Sequence, residues 1–251
     1  MVGAAVLALF WGLLIGSFVT VVAHRVPRGE SIVGPRSRCP GCGAQIAAYD
    51  NVPVFSWALL RGRARCCGAR ISARYPLAEL ATGVLYAAVV LVLWDDPGEV
   101  ALGLVFVTML VAITLTDLER RIIPNKVLLV AALIGGALAA ATDPSSLPER
   151  AIAAAAAGGL LFLVALAYPR GMGLGDVKLA ATMGLFLGRD VAPAIFVALL
   201  VGSAVGLALI ARHGAGARKH AIPFGPFLAV GGVAGLLAGE QMLDWYLGTF
   251  S

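Results

Sequence analysis

The sequence predicts an all-α protein: a polytopic membrane helix bundle of about eight transmembrane helices, with a small cysteine-containing loop domain. Three observations predict it. Of the 251 residues, 60% are hydrophobic and only 13% are charged, roughly half the charged share of a soluble domain. The apolar residues gather in stretches, most of them near the ~20 residues that cross a ~30 Å hydrocarbon core. When those stretches are threaded through a membrane, the basic residues collect on one side of it.

The stretches run 2–23, 77–94, 98–116, 126–142, 151–168, 177–188, 191–211 and 222–247. The sixth is short and rises only ~18 Å as a helix, so it reads as a partial span or merges with its neighbour. The first has no basic residues before it; Arg25 and Arg28 follow it. It therefore reads as an anchor with its N-terminus outside rather than as a cleaved signal. The inside loops are then 24–76, 117–126, 169–178 and 212–221, which hold nine, three, two and three Lys or Arg. Only Arg150 and Arg189 stay outside. The net charge of +5 thus reflects orientation and contact with the lipid bilayer, with no nucleic acid as partner.

Three regions follow: a first transmembrane helix (1–23), a cytoplasmic cysteine-containing loop domain (24–76) and a transmembrane bundle (77–251). No internal repeat stands out. Gly202 and Gly206, and Gly231, Gly235 and Gly239, have the small-xxx-small spacing of closely packed helices.

Asp117, in T-D-L-E-R-R-I-I-P-N, stands where an apolar run ends; Asp176, in G-M-G-L-G-D-V-K, stands where another begins. A carboxylate at such a border is costly to desolvate. Both are expected at the cytoplasmic face. Brought within a few Å, they share one proton, and the pair can activate a water and protonate a leaving amine. That is aspartyl protease chemistry. Gly171, Gly173 and Gly175 permit tight turns and close approach of an extended substrate. Pro124 stops or restarts a helix beyond Asp117. The plainer reading makes both aspartates interfacial charges, Asp176 serving the first turn of its helix; it suits Asp95, Asp143 and Asp190. Glu79, in Y-P-L-A-E-L-A-T-G, is either a functional acid or a partner of Arg74.

All four cysteines lie in 24–76. Cys39 and Cys42 form C-P-G-C-G, a knuckle suited to Zn²⁺, and Cys66 and Cys67 follow. A cytoplasmic loop disfavours disulfides. Vicinal cysteines rarely both bind one tetrahedral ion, so zinc and reduced structural thiols both stay open, with Cys66 the weaker ligand. His24 reads as interfacial.

At these residues the chain resembles the type IV prepilin peptidases, or leader peptidase/N-methyltransferases. The likeness covers nearly the whole chain, in order: G-S-F-V-T-V-V-A-H-R-V-P-R-G-E, then A-Y-D-N-V-P-V-F-S-W-A-L-L-R-G-R, I-S-A-R-Y-P-L-A-E-L-A-T-G, both aspartate blocks, and I-P-F-G-P-F-L-A-V-G-G. The resemblance implies a bacterial inner-membrane enzyme of eight spans. It would cut the basic leader from prepilin or pseudopilin precursors at the cytoplasmic face, after a glycine. Asp117 and Asp176 would be its catalytic pair, and no cofactor would serve proteolysis. Bifunctional members then methylate the new N-terminus with S-adenosylmethionine. The family's second C-x2-C would begin at Ala64, so Cys66 stands out of register. Thr20 and His24 stand where the family more often has Asn and Tyr. The alternatives are a peptidase without methyltransferase activity, a proton or cation transporter using the two aspartates, and a zinc-loop adaptor without catalysis.

Overall fold

Each long apolar run becomes a helix whose ends fall within a few residues of its own. The computed structural model describes residues 1–39, 41–169, 171–213 and 223–249. The basic loop predicted at 212–221 lies outside the described residues beyond its first two. The helices are α1 (Val2–Arg25), α2 (Phe55–Leu59), α3 (Arg74–Val92), α4 (Pro97–Arg120), α5 (Asn125–Thr142), α6 (Leu147–Ala167), α7 (Leu174–Leu187), α8 (Val191–His213) and α9 (Gly225–Gly248). Among the described residues there is no strand, only two isolated bridges, Arg38 with Gln45 and Arg63 with Arg70. The chain forms two compact units, Met1–Trp94 and Asp95–Ser251.

In the first unit α1 and α3 pack along each other. The buried face of α1 is small: Ala5, Gly12, Gly16, Val19 and Ala23. A Cβ on Gly12 would lie 2.7 Å from the Cα of Gly83, and one on Gly16 equally close to the Cα of Glu79. The backbones meet because these side chains are absent. The loop between α1 and α3 carries α2 and all four cysteines.

The second unit holds α4 to α9 around a core that includes Leu102, Phe106, Leu110, Leu161, Met183 and Leu228. Phe106 and Phe186 stack with ring centroids 5.1 Å apart. Asp96 caps α4 by accepting the N–H groups of Gly98 and Glu99, and Pro97 follows in the position it favours. The glycines of α9 pack as their spacing predicts: Cβ atoms on Gly231 and Gly235 would collide with Ala194, and one on Gly239 with Asp190. Gly206 differs. It faces open space, with nothing within 4 Å.

Seven stretches among the described residues are long and apolar enough to span a membrane. One of them, Leu174–Arg212, has 39 residues. As a straight helix it would reach ~58 Å, nearly twice the hydrocarbon thickness. It breaks at Gly188–Asp190, where Gly188 holds φ +55°. Of its two halves, α7 lies along α6 and α8 along α9. The stretch is therefore two passes, which accords with about eight, and the 14-residue α7 is the short sixth one.

Candidate active site

Asp117 lies in the last turn of α4, not beyond it. The helix continues to Arg120 and ends at Arg121, which takes the left-handed conformation and donates its N–H to the Asp117 carbonyl at 2.8 Å. The Asp117 side chain is only 5% exposed. Its Oδ2 accepts the N–H of Gly225 at 2.9 Å. Gly225 opens α9, so the carboxylate sits at the positive end of a helix dipole and uses one of the free N–H groups there. No side chain at position 225 would fit: a Cβ there would stand 2.7 Å from that same oxygen. Arg121 adds a nearby positive charge.

Asp176 lies in the first turn of α7. Its Oδ2 accepts the N–H of Gly173 at 3.1 Å, while its own N–H donates to the Gly173 carbonyl. The glycines have separate tasks. A Cβ on Gly175 would press on Ile123 at 3.0 Å, and one on Gly171 would fall within the Tyr168 ring. Gly175 therefore lets the segment after α4 approach the start of α7. Lys178 completes the link by donating to Asn125 Oδ1 at 3.1 Å.

The two motifs thus meet. The end of α4 and the starts of α5, α7 and α9 share one end of the unit. Asp117 and Asp176 are close enough for their charges to act on each other. The other end of α4 is different in kind: Glu99 pairs with Arg150, which also bonds the Phe186 carbonyl. Glu99 and Asp117 are separated by ~27 Å of helix rise.

Glu79 has a partner other than Arg74. It is buried, and its Oε2 accepts the N–H of Val54 at 2.7 Å. The Ser17 side chain also lies near it. Val54 holds φ +59°, a conformation a β-branched residue rarely adopts. Glu79 thus ties the residue that opens α2 to the α1–α3 pair.

The cysteine loop contains a repeat that sequence inspection missed. Residues 38–45, R-C-P-G-C-G-A-Q, and 63–70, R-A-R-C-C-G-A-R, make the same knuckle. Cys39 N–H donates to Ala44 O and Gly43 N–H to Cys39 O; Ala64 N–H donates to Ala69 O and Gly68 N–H to Ala64 O. Gly43 and Gly68 carry the same positive φ, +73° and +69°. The signal was a shared R-x3-C-G-A. In this register Cys67 matches Cys42, and Ala64 matches Cys39. Cys66 supplies the fourth sulfur from the neighbouring position. It lies 3.3 Å from Cys42 Sγ, and Cys39 lies 3.5 Å from Cys67 Sγ. All four sulfurs fall within 4.8 Å of one another.

A tetrahedral ion with Zn–S bonds of about 2.3 Å needs S···S edges of about 3.8 Å. The four soft donors therefore fit a metal ion. The backbone N–H groups of Cys42 and Gly41 hold the Cys39 thiol down at about 6, while the hydrogen bond with Cys42 pushes Cys66 up to about 12. His24 stands outside this group.

Comparison with known proteins agrees with both units. Residues 10–93 match the bacterial peptidase A24 N-terminal domain, and residues 104–211 match the type IV leader peptidase family. A prepilin leader peptidase/N-methyltransferase of Aeromonas hydrophila is 37% identical over 97% of this chain and 94% of its own. The chain belongs to the type IV leader peptidase family. The equally named protein of Bacillus subtilis is 34% identical, over 94% of this chain and 95% of its own. That of Myxococcus xanthus is 40% identical, over 86% of this chain and 66% of its own. No solved structure matches. Membership places the aspartate-bearing helices in the peptidase region and the cysteine loop in the N-terminal one.

Proposed function

We propose that the chain is a membrane-embedded aspartic endopeptidase that removes the leader of type IV prepilins or pseudopilins at the cytoplasmic face of a bacterial inner membrane. It then methylates the new N-terminus. The observation that carries the reading is the meeting of the two aspartate-bearing motifs, Gly175 against Ile123 and Lys178 on Asn125, at one end of a membrane bundle.

The substrate's apolar helix would lie beside the bundle with its basic leader in the cytoplasm, where the basic loops of this chain are expected. The scissile bond would then sit at the depth of the aspartates. Gly225 and Gly173 each hold one carboxylate oxygen, fixing both side chains without neutralising them. One water between the carboxylates attacks the scissile carbonyl. One aspartate takes a proton from that water while the other donates its own to the carbonyl oxygen; as the resulting diol collapses and the C–N bond breaks, the first passes its proton to the leaving amine and the second recovers one from the diol hydroxyl. The pair titrates as a unit, so the roles belong to the pair. An apolar notch of about 220 Å³, lined by Phe162, Leu166, Met172 and Leu174 among others, lies between the end of α6 and the segment that leads into Asp176.

S-adenosylmethionine would supply the methyl group. Mass analysis of a pilin precursor incubated with the purified chain and S-adenosylmethionine tests both halves. Cleavage after the leader glycine with one added methyl is expected. An uncut precursor overturns the reading, and a cut but unmethylated product removes its second half.

We further propose that Cys39, Cys42, Cys66 and Cys67 hold one structural Zn²⁺ that joins the two knuckles. Elemental analysis should find about one zinc per chain, and Cys66→Ser should weaken retention against a chelator by at least about tenfold. Zinc retained equally by Cys66→Ser would remove Cys66 from the site.

A further inference from the structure

A cavity of about 300 Å³ opens in the first unit, beside the last two turns of α1. Its walls include Phe18, Val21, Arg25, Ile32, Arg36 and Asn51. Phe18, Val21 and Arg25 are three and four residues apart, so they lie one above another on a single stripe of α1. Phe18 belongs to the apolar span and is 48% exposed, whereas Arg25 closes the helix. About 10 Å of helix rise separates them. The stripe therefore passes from hydrocarbon depth to headgroup depth.

Arg25 is held rather than free. It donates to the carbonyl of Ser31 at 2.9 Å and to that of Pro35 at 2.6 Å. A guanidinium has five donors, and neutral carbonyls do not cancel its charge. Among the described residues neither Arg25 nor Arg36 forms an ion pair. Of the acids nearest in sequence, Glu30 bridges to neither arginine, and Asp50 is paired with Arg65 at 2.9 Å. Two uncompensated guanidinium groups thus line a half-apolar cavity.

We propose that this cavity binds one anionic phospholipid, with its phosphate on Arg25 and Arg36 and its acyl chain along Phe18 and Val21. A free anion would gain the arginines but not the apolar wall. A zwitterionic lipid would bring an ammonium group that the arginines repel. The bound lipid would hold the 31–37 segment against the end of α1.

The test is native mass spectrometry of the purified full-length chain in detergent, titrated with dioleoylphosphatidylglycerol or dioleoylphosphatidylcholine. One phosphatidylglycerol per chain should survive activation that strips phosphatidylcholine. Arg36→Gln should weaken its binding about fivefold, the scale of one exposed ion pair. Arg25→Lys, which keeps the charge but loses the fork that bonds two carbonyls, should weaken it too. Arg70→Gln, outside the cavity, should leave it unchanged. Equal retention of the two lipids, equal loss with Arg70→Gln, or full displacement by inorganic phosphate would each overturn the proposal. Cleavage of a pilin precursor by the same preparation is measured separately, so failure here is distinct from failure of the peptidase reading.

Discussion

Asp117→Asn and Asp176→Asn should each lower cleavage of a pilin precursor by about 10³-fold, within the range that positioned acids and bases supply. Asparagine keeps the size of aspartate, and its amide oxygen can still accept the Gly225 N–H that now bonds Asp117. The fold is therefore preserved while proton exchange is lost. If the two carboxyls share one proton, as proposed, the double substitution should cost little more than either single one. The measurement is the cleavage rate of a precursor by purified, membrane-inserted enzyme, with helical content as the control for folding. A single variant that cleaves at the normal rate would remove that aspartate from the chemistry. The transporter alternative makes no such prediction, since transport does not couple the two groups to peptide hydrolysis.

The membrane helices were legible because hydropathy is local: each run announces its own span. Their ends were not, and at the proposed active site the ends decide. The apolar run before Asp117 stops at residue 116, but α4 continues to Arg120, where Arg121 takes a left-handed turn. The run after Asp176 starts at 177, but α7 begins at Leu174. Both aspartates are therefore helical residues in terminal turns, placed by caps that hydropathy does not register. The partner of Asp117 was beyond sequence reasoning for another reason. Gly225 lies 108 positions away, and a glycine N–H carries no side-chain signature. Cys66 shows the reverse case. Spacing put it out of register, and the repeated knuckle confirms that Ala64, not Cys66, is equivalent to Cys39. Proximity, not register, brings its sulfur to Cys42, and only three-dimensional placement shows it.

Gly225→Ala should reduce the cleavage rate by about 10²-fold, the cost of moving a catalytic group by ~1 Å. Neither group can yield cheaply. The added methyl would lie 2.7 Å from Asp117 Oδ2 and 3.2 Å from its Cγ, well inside contact. Asp117 is buried on a helix whose next turn is capped through its own carbonyl, so its backbone is fixed and its carboxylate must rotate away. Position 225 also precedes Pro226, which disfavours helical backbone for any residue with a side chain. The carboxylate would then lose both the Gly225 N–H and its alignment with Asp176. Gly206→Ala is the matched control: it adds the same methyl to another helix, where nothing lies within 4 Å, and should leave the rate unchanged. A Gly225→Ala enzyme that cleaves at the normal rate would mean that the Asp117 carboxylate works from some other position than the one α9 assigns it.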